Sequence, residues 1–122
     1  MLTHEKLDAY RVSIEFASLA YQLCQELPKT YGPVSDQLRW AATSVPANIA
    51  QACGRAGAQE FARYVALARG SAAECGALLD VVNATLPSPH GRHNEGKLLL
   101  VRMVSMLIRL GMPVRSVPGQ LE

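Results

Sequence analysis

Residues 37–55 read QLRWAATSVPANIAQACGR and favour one tightly packed helix. The apolar positions that we expect to face inward recur at helical spacing; they are Leu38, Ala41, Ala42, Val45, Ile49 and Cys53. Pro46 lacks an amide hydrogen, so the helix is expected to kink there, a complete break into two helices being the alternative. Because the apolar periodicity continues through Pro46, the kink is favoured. Gly54 is expected to end the helix in a left-handed conformation.

Three further helices flank this one. The predicted helices cover about residues 4–26, 35–53, 58–86 and 92–110, and residues 113–122 are expected to form a flexible tail. Segments rich in proline and glycine separate the helices, and no strand pattern occurs. The three connections are short, so consecutive helices should be antiparallel neighbours. The sequence therefore predicts an all-α fold, an up-down-up-down four-helix bundle formed by residues 1–112.

The third helix carries the clearest periodic signal, because apolar residues follow four-three spacing from Phe61 to Leu86. The predicted core positions between them are Val65, Ala68, Ala72, Cys75, Leu79 and Val82. Gly70 and Gly76 lie inside the same helix, where glycine costs up to about 1 kcal/mol. We expect close approach of another backbone to compensate for that cost.

The first and fourth helices each carry two apolar lines. In the first helix, the predicted bundle seam is Leu7, Tyr10, Ile14, Ala17, Tyr21 and Cys24, and the second line is Val12, Phe16, Leu19 and Leu27. In the fourth, one line is Leu98, Val101, Ser105, Ile108 and Met112, and the other is Leu100, Val104 and Leu107. A helix with two apolar sides needs two partners, so the sequence predicts self-association.

The composition sets limits on function. Apolar residues make up 49% of the chain, charged residues 18%, and the net charge of +2 is too small to indicate nucleic-acid binding by itself. The three cysteines show no CxxC spacing and are expected to be buried free thiols. The start of the chain lacks a signal-peptide pattern, and no apolar run approaches the roughly 20 residues of a membrane span. A cytoplasmic protein is expected.

Several motifs together indicate a family. They are residues 37–50, Gly54-Arg55, Glu60-Phe61 and residues 70–74. They resemble the bacterial four-helix-bundle proteins first noticed in intervening sequences of large-subunit ribosomal RNA genes, and the accessory variability determinant of diversity-generating retroelements. The resemblance implies a ring-like homopentamer. For the retroelement branch, it also implies a basic outer surface that engages nucleic acid and a reverse transcriptase.

Two sets of polar residues are candidates for function. The first set has two interpretations, a site at one end of the bundle or a structural network that ties helices 2 and 3 together; its members are Arg39, Asn48, Arg55, Glu60 and Glu74. We expect Arg39 to pair with an acid of helix 3, and Asn48 to bond backbone freed near Pro46. The second set is a candidate phosphate-binding surface; its members are Arg63, Arg69, Arg92, Lys97, Arg102, Arg109 and Arg115.

The remaining chemistry is sparse. His90 and His93 lie in a turn rich in proline and glycine without nearby acids or thiols, so polar loop residues are favoured over a metal site. We expect no catalytic residues, cofactor or small-molecule substrate. The sequence predicts a non-enzymatic, self-associating scaffold or adaptor. The alternative is a nucleic-acid-binding accessory protein for a reverse transcriptase or an RNA element.

Overall fold

In the computed structural model, residues 4–55, 57–86 and 91–112 are described. They form α1 (His4–Glu26), a 3-10 turn (Lys29–Tyr31), α2 (Gly32–Gly54), α3 (Ala58–Thr85) and α4 (Gly91–Gly111). The predicted all-α fold with four α-helices is confirmed, and these residues contain no strand. The predicted tail, residues 113–122, lies outside this part of the chain.

The helix α2 begins at Gly32, three residues before the predicted start at residue 35. The 3-10 turn lies between α1 and α2, and in it the Tyr31 amide donates to the Pro28 carbonyl at 2.9 Å. Pro33 then lies in the first turn of α2. A proline is tolerated at that position because the first amides of a helix have no partner within it. Pro33 therefore lies at the start of the helix, although the predicted helix began only at residue 35.

The helix α2 is continuous through Pro46, so the alternative of a complete break is wrong. Side chains near the proline bond backbone carbonyls of their own helix. Thr43 Oγ1 donates to the Arg39 carbonyl at 2.8 Å, and Asn48 Nδ2 donates to the Ser44 carbonyl at 2.9 Å. Asn48 therefore bonds backbone within one turn of Pro46. The carbonyl that loses its usual amide partner because of Pro46 is that of Ala42, four residues earlier. Asn48 does not bond this carbonyl.

The left-handed glycine between α2 and α3 is Gly57, with φ of 94°. The prediction of this conformation at Gly54 is wrong, because Gly54 is the last helical residue and Arg55 after it is extended. The extended Arg55 directs the chain away from α2, and the positive φ at Gly57 lets it enter α3. Glycine is the residue that adopts this conformation without a steric cost.

Gly57 and Gly70 form a matched pair for a stability test. An alanine Cβ would meet nothing within 4 Å at either position, so backbone conformation alone distinguishes them. Gly57→Ala should destabilise the protein by about 1–2 kcal/mol, because its φ disfavours a side chain. Gly70→Ala, inside α3, should stabilise it by about 0.5–1 kcal/mol. Chemical denaturation measures both, and shifts of the same sign would contradict this interpretation.

The close approach expected at Gly70 is thus wrong, since the space around that residue is open. Close packing occurs instead at Gly96 of α4, where an added Cβ would lie 3.5 Å from Leu79 and 3.8 Å from Phe16. Gly96 faces the core, whereas Gly70 faces outward. Glycine at 96 therefore lets α4 lie near the large side chains of α1 and α3.

The core lies between four helices, each of which packs against two others. The contacts are α1 with α2, α2 with α3, α3 with α4, and α4 with α1. The largest fully buried side chains include Phe16, Leu38, Leu79, Met103 and Leu107. The six predicted positions between Phe61 and Leu86 are buried, which confirms that part of the seam, whereas Phe61 and Leu86 themselves are half-buried. Five of the six predicted in α2 are buried, and Cys53 is half-buried.

The predicted seam of α1 is wrong at Tyr10, Ile14 and Tyr21, although its last member, Cys24, is buried. Val12 and Phe16, assigned to the second line, are buried, whereas Tyr10, Ile14 and Tyr21 of the predicted seam are exposed. The inward side of α1 also contains small residues that carry little apolar signal. These are Ala9, Ser13 and Ala20. In α4, Leu100 and Leu107 of one line are buried, and the other line, represented by Leu98 and Val101, is exposed.

Candidate functional site

A cluster around Tyr64 joins the end of α2 to the start of α3. Arg55 Nη2 donates to Gln51 Oε1 at 3.0 Å and to the Tyr64 hydroxyl at 3.3 Å. The Arg63 guanidinium lies 4.5 Å from the centre of the Tyr64 ring. Arg63 also makes a two-pronged contact with Glu60, Nε to Oε1 at 3.1 Å and Nη2 to Oε2 at 3.3 Å. The structure thus brings together Arg55 and Glu60 of the predicted polar network.

The electrostatics of this cluster are those of a surface ion pair. The hydrogen bond from Arg63, with the charges of Arg63 and Arg55, lowers the pKa of Glu60. The same hydrogen bond raises the pKa of Arg63. Exposed pairs of this kind contribute little to stability, because water and salt screen them. The cluster therefore contributes little to the free energy of unfolding. Its main effect is to orient side chains at the α2–α3 connection.

The predicted pairing of Arg39 with an acid of helix 3 is wrong. Arg39 Nη2 binds Asp36 Oδ1 at 2.8 Å, one turn earlier on α2. Its helix face is the one on which Thr43 meets Tyr21 of α1, at 3.2 Å between the two hydroxyl oxygens. Arg39 thus lies towards α1. Glu74 is exposed on α3, apart from the Tyr64 cluster.

A serine pair links α2 to α3 where the sequence analysis identified no contact. Ser44 Oγ and Ser71 Oγ lie 2.7 Å apart, and Asn48 Nδ2 donates to the same Ser44 hydroxyl at 3.1 Å. Asn48 is therefore the member of the predicted network that lies at the α2–α3 interface. In the sequence, the signal for this contact was a small hydroxyl residue in each of the two helices. In the structure both residues are half-buried.

Some residues of the predicted phosphate-binding set pair with an acidic side chain, and others are exposed. Arg63 is paired with Glu60, and Lys97 Nζ lies 2.6 Å from Asp80 Oδ1 of α3. Besides Arg63, the exposed members on α3 and α4 are Arg69, Arg102 and Arg109. Arg115 lies outside the described residues, as does the side chain of Arg92. Arg102 and Arg109 are one heptad apart on α4 and share an exposed face.

The histidine pair does not form a loop site. His93 is buried in the first turns of α4, which corrects its assignment as a polar loop residue. His90 lies outside the described residues. Within residues 4–55, 57–86 and 91–112, no group of three or more histidine, cysteine or acidic side chains could hold a metal ion.

We group exposed apolar side chains of the described residues into two strips on different helices of the bundle. The α1–α2 strip consists of Tyr10, Ile14, Tyr21 and Trp40, and the α4 strip consists of Leu98, Val101, Ile108 and Met112. Trp40 is 81% exposed, Leu98 72% and Val101 65%. The contact of Tyr21 with Thr43 places the first strip between α1 and α2.

The α4 strip borders α3. Val101 and Ser105 line a groove of about 290 Å³ together with Ala73 and Gly76 of α3. The Lys97–Asp80 ion pair joins the same two helices. Leu67 and Val81 of α3 are also exposed, but they lie outside both strips. The α4 strip thus lies beside α3, whereas Tyr21 of the other strip contacts α2.

A cleft of about 770 Å³ lies at one end of the bundle. It is formed where α1 and α3 begin and where α2 and α4 end. Residues from all four helices line it, including Lys6, Cys53, Phe61, Arg109 and Leu110. We call it the end cleft. These residues are distant in sequence, so no local motif marks the cleft.

The three cysteines differ in accessibility. Cys24 and Cys75 are buried, Cys53 is half-buried at the end cleft, and all three are free thiols. Burial raises the pKa of Cys75 to about 12 and is also the main cause that raises the pKa of Cys24. The Cys53 thiol therefore differs from the other two in having access to solvent.

A thiol reagent should accordingly modify Cys53 first. At pH 8, iodoacetamide is expected to label Cys53 while leaving Cys24 and Cys75 unmodified in the folded protein, because a buried protonated thiol is a poor nucleophile. Peptide mass spectrometry identifies the labelled site, and urea-unfolded protein, in which all three should react, is the control. Early labelling of Cys75 in the folded protein would contradict its buried position.

Comparisons with known proteins agree with the fold. The family model described as 23S rRNA-intervening sequence protein matches residues 5–109. A crystal structure of a protein of unknown function, from the S23 ribosomal protein family of Bacteroides thetaiotaomicron VPI-5482, is similar with a TM-score of 0.79. It is 20% identical, and the alignment covers 87% of this chain and 96% of the other. No curated protein matches the chain. None of the described helices is long and apolar enough to cross a membrane.

Proposed function

The chain belongs to the 23S rRNA-intervening sequence protein family, and we propose that it acts as a non-enzymatic, self-associating scaffold or adaptor in the cytoplasm. The observation that carries the proposal is the two exposed apolar strips, one on α1 and α2 and one on α4. Exposed apolar surface of this extent is typical of protein–protein interaction sites. Three free cysteines suit a reducing compartment.

The arrangement of the strips favours a ring. If the α1–α2 strip of one copy covers the α4 strip of the next, each copy uses two different surfaces, and the contact is heterologous. Such contacts close into a ring when the rotation between copies allows it. The aromatic side chains Tyr21 and Trp40 would then fill the shallow groove lined by Val101 and Ala73. We infer a homopentamer as the closed form, on the basis of the family resemblance.

We also propose that neighbouring helices are antiparallel and that α2 is kinked at Pro46. The Tyr31 hydroxyl, just before α2, donates to Thr85 Oγ1 at the end of α3 at 2.8 Å. At the other end of the bundle, a Cβ added to Gly111 of α4 would lie 3.5 Å from Val65, near the start of α3. Both contacts join the end of one helix to the beginning of another, which supports antiparallel neighbours. The kink is supported by the ring of Pro46 inside a continuous helix.

Sedimentation velocity of the full chain at micromolar concentration tests the proposal. We expect a single species whose mass is several times the 13.2 kDa of one chain. Association should persist in high salt, because apolar contacts dominate both strips. A stable monomer at these concentrations would remove the basis for the scaffold.

A second candidate function is nucleic-acid binding as an accessory protein for a reverse transcriptase or an RNA element. The exposed pair Arg102 and Arg109 favours it, since both lie on one face of α4. A ring would repeat this pair in every copy, and linked weak contacts gain avidity. Retention of RNA that declines steeply between low and moderate salt would support this function. No retention even at low salt would exclude it.

A further inference from the structure

The end cleft has the size and lining of a small-molecule site. Its volume of about 770 Å³ lies within the range of about 300–1,000 Å³ that is typical of ligand pockets. The cleft is independent of the two apolar strips, because it lies at an end of the bundle and the strips follow its sides. An inference from the cleft therefore does not depend on self-association.

The cleft combines an apolar interior with a cationic rim. The apolar contribution comes from side chains at the end of α2, the start of α3 and the end of α4 and just after it; they are Ala52, Ala58, Phe61, Ala62, Leu110 and Met112. Three cations line the cleft, Lys6, Arg55 and Arg109, against one carboxylate, Glu5. Asp8 lies beside Arg109 in a smaller adjoining pocket. The charge of the lining is therefore net positive.

Two of the cations contact aromatic rings, Lys6 that of Phe61 and Arg55 that of Tyr64. Arg55 donates to two neutral acceptors, Gln51 Oε1 and the Tyr64 hydroxyl. The Lys6 ammonium lies 4.6 Å from the centre of the Phe61 ring, which is itself part of the apolar lining. A cation beside an apolar wall is the arrangement that recognises a molecule with an anionic head and an apolar body.

We propose that the end cleft binds an amphipathic anion, a single-chain carboxylate whose hydrocarbon body contacts Phe61, Leu110 and Met112. The carboxylate accepts hydrogen bonds from Arg55 and Arg109, whose planar guanidinium groups suit a carboxylate. The hydrocarbon chain supplies affinity by leaving water, and the arginines select the charge.

Protection of Cys53 provides the test, since that thiol lines the cleft and the other two cysteines are buried. Decanoate, kept below its micelle concentration, should slow the alkylation of Cys53 by iodoacetamide at least about fivefold at saturation. Decanol and decyltrimethylammonium have the same chain without the negative charge and should protect far less. Equal protection by decanol would overturn the assignment of an anionic ligand, and no protection by decanoate would overturn the site itself.

Matched arginine variants locate the site. Arg55→Gln and Arg109→Gln should each weaken protection by decanoate about tenfold, because each removes a charge-assisted hydrogen bond. Arg102→Gln is the control, since Arg102 is exposed on α4 outside the cleft. A circular-dichroism melt of each variant checks that the fold is retained. Equal weakening by Arg102→Gln would reveal general charge attraction and overturn the proposal.

Discussion

Phe16→Ala is expected to lower the free energy of unfolding by about 3–5 kcal/mol, because it removes a large buried side chain and leaves a cavity. Phe16 is 1% exposed and is among the largest fully buried residues of the bundle. Gly96 of α4 packs beside it, at 3.8 Å from an added Cβ to the ring. The surrounding helices therefore have little freedom to collapse into the space. Chemical denaturation of the purified variant measures the loss.

Ile14→Ala is the matched control on the same helix. Ile14 belongs to the predicted seam of α1, but it is 45% exposed. In the unassembled chain its truncation should cost about 1 kcal/mol or less, since much of the side chain there is in water. A larger loss at Ile14 than at Phe16 would show that α1 faces the core with the side that the sequence analysis predicted.

Trp40→Glu and Val101→Glu are expected to abolish the higher assembly, each by placing a charge in one of the two strips. Both side chains are exposed in the single chain, so the monomer should fold with either change. Loss of a central aromatic contact weakens an interface by tenfold or more, roughly the effect of a hot-spot residue. Sedimentation velocity of each variant alone should therefore show mainly monomer.

Mixing the two variants distinguishes heterologous from isologous contacts. In a head-to-tail arrangement, Trp40→Glu retains an intact α4 strip, and Val101→Glu retains an intact α1–α2 strip. One good interface can then form between them, and the mixture should yield a heterodimer that cannot grow. Leu67→Glu, at an exposed leucine outside both strips, should leave the assembly unchanged. If one strip variant alone remains fully assembled, the strips do not pair with each other.

Part of the candidate site followed from local sequence and part did not. The pair Glu60 and Arg63 lies within one turn, a spacing at which opposite charges meet on any helix. The pairing of Arg39 could not be inferred in this way. Asp36 and the acids of α3 were both plausible partners until the orientation of α2 relative to α1 and α3 was known. The end cleft gave no sequence signal. Its lining residues come from four helix ends that only the packed bundle brings together.

By itself, the sequence determined that the chain forms helices, approximately where they end, and which side of α3 is buried. These properties depend on local causes: apolar periodicity, and the proline and glycine residues that separate the helices. Tertiary structure decided which apolar line of α1 and of α4 faces inward. Two lines on one helix have the same spacing and similar hydrophobicity, so periodicity cannot choose between them. The choice depends on which line fits the neighbouring helices, and packing settled it with Phe16 inside and Ile14 outside.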